Sequence, residues 1–251
     1  MRKIKSLGLV GALYVISFAF MACSKNDGEG VEKPSSSKRI VKINVDKGSY
    51  VEETSFQYDS QGRLISEEKN WNTHSDKTTY TYNETSIIKK LKGDMWTASD
   101  NFTLSNGRII RDVDESETVR NYTYDDSGYL IKQTFENEAQ FNSGTIQFEW
   151  SDGNLIKYTK TRDEGNSTVY TITYSDISWP KNFFIEWDGT NIEAVLEPMG
   201  AFGKMPRYLP QKISLSSGRE YTIDYTMVDG YVTKYIIQTS EKSEIYTLVW
   251  E

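Results

Sequence analysis

Cysteine and histidine are almost missing: Cys23 and His74 are the only ones in 251 residues. Their scarcity excludes a disulfide framework, a Cys/His zinc site, a Cys-His nucleophile pair and a poly-histidine metal centre. Proline and glycine are sparse, 5 and 17, which leaves little room for a long disordered stalk. From Arg39 onward no stretch longer than a few residues spaces its apolar side chains by three and four, so helix is nearly excluded. A chain with 37% hydrophobic and 26% charged residues is also not a polytopic helical membrane protein. No glycine-rich phosphate loop stands between a strand and a helix. Aromatic residues are in excess, at 13% of the chain with 17 tyrosines.

Residues 1–22 combine basic Arg2, Lys3 and Lys5 with an uncharged apolar run from Leu7 to Met21 and a small residue, Ala22. This is the pattern of a secretory signal. The lone cysteine follows at once, and Ala22-Cys23 resembles the lipobox of a bacterial lipoprotein, in which Cys23 is the lipid-attachment residue. Phe20-Met21 depart from the usual aliphatic and small residues of that pattern. Cleavage removes three basic and no acidic residues, taking the formal charge from −7 to about −10, which disfavours nucleic acid and anionic headgroups as partners. Residues 23–38 are polar, contain Gly, Ser and Pro, lack apolar period and read as a flexible tether. Acidic residues just behind Cys23 resemble surface-export signals of Bacteroides-type lipoproteins. The expected address is therefore the outer membrane, lipid-anchored, with the cell surface favoured over the periplasmic face.

The remainder, 39–251, reads as one β domain. Phe56-x-Tyr58, Tyr80-x-Tyr82, Phe102-x-Leu104, Tyr122-x-Tyr124, Phe148-x-Trp150, Tyr170-x-Ile172-x-Tyr174, Ile185-x-Trp187, Ile213-x-Leu215, Tyr221-x-Ile223-x-Tyr225 and Tyr246-x-Leu248-x-Trp250 alternate with Thr, Gln, Glu and Asp. Each predicts a strand with one apolar and one solvated face. Turns of repeated chemistry follow: Asp59-Ser-Gln-Gly62-Arg-Leu64-Ile65, Ser105-Asn-Gly107-Arg-Ile109-Ile110, Asp125-Asp-Ser-Gly128-Tyr-Leu130-Ile131 and Ser151-Asp-Gly153-Asn-Leu155-Ile156. Asp, Asn and Ser bond the local backbone and Gly accepts positive φ, so each is a hairpin turn. The expected architecture is all-β: an antiparallel meander of about ten or more strands, curled into an open barrel or single-layer sheet.

The Tyr58-Asp-x-x-Gly-Arg-Leu-Ile65 phrase distantly resembles the tyrosine-aspartate repeats of Rhs-type proteins. Taken whole, the lipobox, the tether, the aromatic-turn-Leu-Ile hairpins and Leu209-Pro210-Gln-Lys-Ile213 resemble Bacteroides-type lipoproteins of unknown function with a porin-like curled antiparallel sheet. That resemblance implies a fold and an address and carries no activity. A small outer-membrane barrel is the alternative architecture. Against it stand the tyrosines, which belong at bilayer interfaces rather than the midplane, and charged stretches between strands such as 111–120.

The rhythm breaks at 191–212, a Pro/Gly-rich insertion with Pro198, Pro206 and Pro210, where prolines argue against a central strand. Its apolar content suits a cap over one end of the curled sheet, or a binding loop. With Trp179-Pro180-Lys-Asn-Phe183-Phe184 as a second interruption, Trp179, Phe202 and Tyr208 are the candidate binding residues. His74 sits in a polar turn with no second histidine, and reads as a solvent-exposed side chain. Asp112-x-Asp114-x-Ser116 starts like a calcium loop but continues with Glu117 and Thr123 where Gly and Glu are needed. Glu52-Glu53 and Glu67-Glu68 point to opposite faces of a strand, and Asp125-Asp126 belong to a turn. No cofactor and no metal are expected. The expected role is a non-enzymatic binding or structural module of the cell envelope, directed at a glycan, host or envelope component. A polysaccharide hydrolase working with carboxylates alone is the alternative.

Overall fold

The computed structural model describes residues 38–94, 96–137, 142–162, 165–185 and 200–251. The signal, Cys23, the tether up to Ser37 and Trp187 of the Ile185-x-Trp187 pair lie outside them. Among the described residues there is no helix, and sixteen strands form a closed antiparallel barrel in which each pairs with its sequence neighbours and the first with the last. They are β1 (Ile40–Asp46), β2 (Val51–Tyr58), β3 (Leu64–Trp71), β4 (His74–Tyr82), β5 (Ser86–Lys92), β6 (Thr97–Ser105), β7 (Arg108–Asp114) and β8 (Val119–Tyr124), followed by β9 (Leu130–Asn137), β10 (Asn142–Ser151), β11 (Asn154–Arg162), β12 (Ser167–Ser178), β13 (Tyr208–Leu215), β14 (Glu220–Val228), β15 (Tyr231–Gln238) and β16 (Ser243–Trp250). The barrel is closed rather than open, and the strands outnumber the aromatic pairs. Return strands such as β3 and β7 follow the turns with Leu-Ile or Ile-Ile and then charged residues, so they carry no aromatic alternation.

Two expectations about strand boundaries are corrected. Charged residues 111–120 are mostly strand: β7 runs to Asp114 and β8 starts at Val119. The proline-bearing stretch likewise ends in β13, with Pro210 opposite Tyr174 at an irregular register, where a missing N–H costs the ladder little. Ile185 is buried but not in a strand.

The repeated phrase has a structural explanation. β3, β7, β9, β11, β13 and β15 are each bulged against the preceding strand, and β1 against β16. A bulge drops a residue out of the ladder. The carbonyl just before it is taken by the last aromatic of the next strand. Tyr58, Tyr82, Tyr124, Tyr174 and Tyr225 donate their hydroxyls to the carbonyls of Ile40, Leu64, Ile109, Leu155 and Pro210 at 2.6–2.7 Å. Trp150 and Trp250 donate their indole N–H to Leu130 and Val232 at 2.8 and 2.7 Å. β5 has no bulge against β4, and β6 carries Leu104, which has no donor, at the matching place. At five of the seven latches the residue preceding the carbonyl shields the ring that donates to it: Arg39, Arg63 and Arg108 lie 5.7, 4.7 and 5.3 Å from the centres of Tyr58, Tyr82 and Tyr124. Tyr129 and Tyr231 take that place on Trp150 and Trp250.

All these latches lie at the end of the barrel that holds the turns at Gly62, Gly107, Gly128 and Gly153. The same end receives the 29-residue connection between β12 and β13, residues 179–207, of which 179–185 and 200–207 are described. Phe183 and Phe184 enter the interior edge-on to Tyr235 and Phe56, and Phe202 enters against Tyr122. The backbone is stitched to the hairpin rims: Ile109 donates to Ala201, Lys204 to the carbonyl of Gly128, and Arg207 to that of Gly153. This end is capped. Inside, Tyr158, Tyr235 and Ile146 have no exposed surface, so no water-filled bore exists at their level. Outward positions such as Gln57, Thr81, Thr103, Thr123, Gln147, Thr171 and Asp224 are exposed. Lys42–Glu53 and Lys157–Glu149 ion pairs add charge to that outer face. A lipid-facing band would instead be apolar.

Candidate functional site

Among the described residues the opposite end has only tight turns, and nothing lies across it. Here the inward face changes character. Register partners share a face, so Phe56 and Glu67, Thr54 and Lys69, Glu52 and Trp71 all point inward, as do Tyr80 and Lys89, Asp100 and Asp114, Phe102 and Asp112. From β2 to β8 the inward row is therefore aromatic or aliphatic near the cap and charged toward the open end. Solvent reaches these charges: the side chains of Lys89, Asp100 and Lys69 are 15%, 22% and 35% exposed.

The charges are arranged in opposed sets. Glu52 meets Lys47 at 2.9 Å and Lys69 at 3.0 Å. Burial raises its pKa, but the hydrogen bonds from the two lysines outweigh this and hold it below the usual glutamate value. Lys89 meets Asp100 at 3.3 Å. Arg120 spans Asp112 at 2.7 Å and Asp114 at 2.8 Å, and Tyr122 donates its hydroxyl to Asp112 at 2.6 Å. Burial pushes Asp112 up despite these partners. Arg120 thus occupies the start of the calcium-like pattern, and no group of three or more metal-ligating side chains occurs among the described residues.

At the lip of this mouth, the β3–β4 and β5–β6 turns bring together Trp71, His74, Asp76, Asp94 and Trp96. The His74 ring lies 5.7 Å from that of Trp71, and its Nδ1 is 3.2 Å from Asp94 Oδ2. Trp96 is among the most exposed large apolar side chains. Sequence reasoning placed His74 at the surface but did not assemble the group, because Trp71 and Trp96 stand outside the aromatic alternation and come together only through strand pairing. Their signal was a tryptophan in polar surroundings, Trp71 between Asn70 and Asn72 and Trp96 two residues after Asp94.

The residues singled out as binding candidates lie at the other end. Trp179 is half-buried, and its Nε1 donates to the Phe183 carbonyl at 3.0 Å. Phe202 is buried against Tyr122 and presents no face to solvent. Tyr208 opens β13, its N–H donating to Asn154 Oδ1 at 3.1 Å, with the Arg207 guanidinium 5.2 Å from its ring centre. All three belong to the cap and its rim. Cys23 lies outside the described residues. Glu52 and Glu53 do face opposite sides: Glu52 bonds Lys47 inside, and Glu53 bonds Lys42 outside. Asp125 accepts the Tyr129 N–H of its own turn.

Among solved structures, a porin-like protein from Bacteroides uniformis is similar at 16% identity and a TM-score of 0.65, covering 84% of this chain and 98% of its own. A porin-like protein from Bacteroides vulgatus is similar at 12% identity and a TM-score of 0.61, covering 86% and 99%. These likenesses establish the fold. No curated protein matches the chain. Residues 56–245 match the family described as a domain of unknown function (DUF4595) with porin-like fold, and the chain belongs to that family.

Proposed function

We propose that this protein is a lipid-anchored, non-enzymatic binding module of the cell envelope whose ligand enters at the open end of the barrel. The observation that carries the reading is the asymmetry of the two ends. One end is filled by Phe183, Phe184 and Phe202, while among the described residues the other has only tight turns and an inward row of hydrogen-bonding side chains that solvent reaches. The polar exterior supports an anchor at Cys23, on the outer membrane with the cell surface favoured, rather than a spanning barrel. Glu52, Asp100, Asp112 and Asp114 face lysine or arginine and serve to hold a polar lining rather than to supply a free acid and base.

Two measurements test this. Palmitate labelling is expected on the full chain and absent from Cys23→Ala; labelling that survives the substitution overturns the anchor. Envelope polysaccharide and protein fractions are expected to bind the immobilised full-length protein. A Lys89→Ala/Asp100→Ala variant is expected to lose that binding, and a Lys181→Ala/Lys204→Ala variant at the capped end to keep it. The reverse pattern overturns the open-end reading.

A further inference from the structure

We propose that the open mouth takes a cationic amphipathic peptide, its basic side chains on the β2–β8 wall and its apolar side chains on the β12–β14 wall. This rests on the reading of the open end as the ligand entrance. On the first wall Glu52, Glu67, Asp76, Asp100, Asp112 and Asp114 point inward. Lys69, Lys89 and Arg120 of the same strands answer them, with Lys47 from the β1–β2 turn. Lys69 is shared, since Asp76 is its ladder partner while Glu52 holds its Nζ at 3.0 Å. The carboxylates outnumber these cations, and His74 at full charge does not close the gap. Lys160 belongs to β11, between the two walls. A concave wall with this excess attracts cations and repels anions.

The second wall is apolar where it meets solvent. Tyr170 and Leu215 are ladder partners, Tyr221 stands opposite Ile213, and these three outer members, Tyr170, Leu215 and Tyr221, are half-buried in the mouth half of their strands. The Tyr170 ring is held against Tyr158, centres 4.1 Å apart and planes 12° from parallel. An extended peptide sends alternate side chains to opposite sides, which puts one kind on each wall. What selects a peptide over a simple amine is Gln133, inward on β9 as ladder partner of Tyr122 and Ile146. It is fully buried, and neither its amide nitrogen nor its oxygen has a hydrogen-bond partner. Phe135, the next inward residue toward the mouth, lies against the bare Cα of Gly144, its Cζ 2.5 Å from where a Cβ would stand. When that ring turns aside, a peptide amide supplies the acceptor and the donor that Gln133 lacks.

The full-length protein is titrated calorimetrically with acetylated hexapeptide amides that alternate lysine with phenylalanine, glutamate with phenylalanine, or lysine with serine, and separately with spermidine. The peptide of lysine and phenylalanine is expected to bind, and the other three probes to bind at least tenfold more weakly. Asp76→Asn/Asp100→Asn and Tyr221→Ser are each expected to weaken it fivefold or more. Gln133→Met is expected to weaken it at least threefold without lowering the unfolding temperature, since it removes an unpartnered amide and keeps the shape. Equal or tighter binding of the glutamate peptide overturns the charge assignment. Equal binding of the lysine and serine peptide or of spermidine overturns the apolar wall, and binding that Gln133→Met spares overturns the amide contact. Binding that both wall variants spare overturns the mouth as its place. Silence in every arm overturns this proposal, and binding of envelope fractions that depends on Lys89 and Asp100 would then show that the open-end reading survives it.

Discussion

A tyrosine hydroxyl or an indole N–H combines a large apolar ring with a single donor at its tip, and that combination explains the aromatic excess of this chain. In each pair the first aromatic, such as Tyr80, fills the interior, and the second, such as Tyr82, crosses to a carbonyl freed by a bulge. Tyr and Trp exchange at this place because both carry the donor, and Leu104 stands only where the bulge is missing. Burial pushes the Tyr58, Tyr82 and Tyr124 hydroxyls well above their ordinary pKa, so they stay donors throughout the physiological range. Tyr82→Phe keeps the ring and removes the donor. It is expected to cost about 1–3 kcal/mol in urea unfolding, because the Leu64 carbonyl is left unsatisfied. An unchanged midpoint would mean that the latch adds nothing to stability.

At the scale of the element, the unit is a hairpin with four positions after its turn. Gly62 and its counterparts adopt positive φ, the next residue covers a ring, the next is buried and lends its carbonyl, and the last, such as Ile65, is the outward bulge residue. The cap is a different element, held by contacts that no periodicity encodes. Gly203 shows how close its fit is: at φ +87, a Cβ there would stand 2.5 Å from the Gly128 carbonyl oxygen and 3.0 Å from the Tyr124 ring. Gly203→Ala is expected to destabilise by about 2 kcal/mol or more, from strain and from the displaced rim. Hydrogen exchange should locate the loss in 200–207 and the β8–β9 turn. Global loss with no local signature would contradict a separately docked cap.

For the whole molecule, closure between β1 and β16 removes both sheet edges, and Arg39 and Glu251 complete it by exchanging backbone hydrogen bonds of 2.6 and 3.0 Å. Removing residues 243–251 would expose β1 and β15 as long unpaired edges. The truncated chain is expected to aggregate on size exclusion rather than run as a monomer, and a soluble monomer with intact strand content would show that closure is dispensable. Porin-like describes the topology here, since rings occupy the space that a channel would need. By itself the sequence determined the all-β class, the hairpin turns, the inward aromatic face and the exclusion of a disulfide framework and of Cys/His or polyhistidine metal sites, because period-two alternation, glycine turns and residue counts are local properties. Only the tertiary structure decided that the sheet closes, that Phe202 is a plug, and that Trp71, His74 and Trp96 share a lip. Charged residues such as Asp112 and Arg120 read as loop in the chain because each looks exposed alone. Strand register turns them inward and pairs them, and register is set by bulges and partners that no single stretch contains.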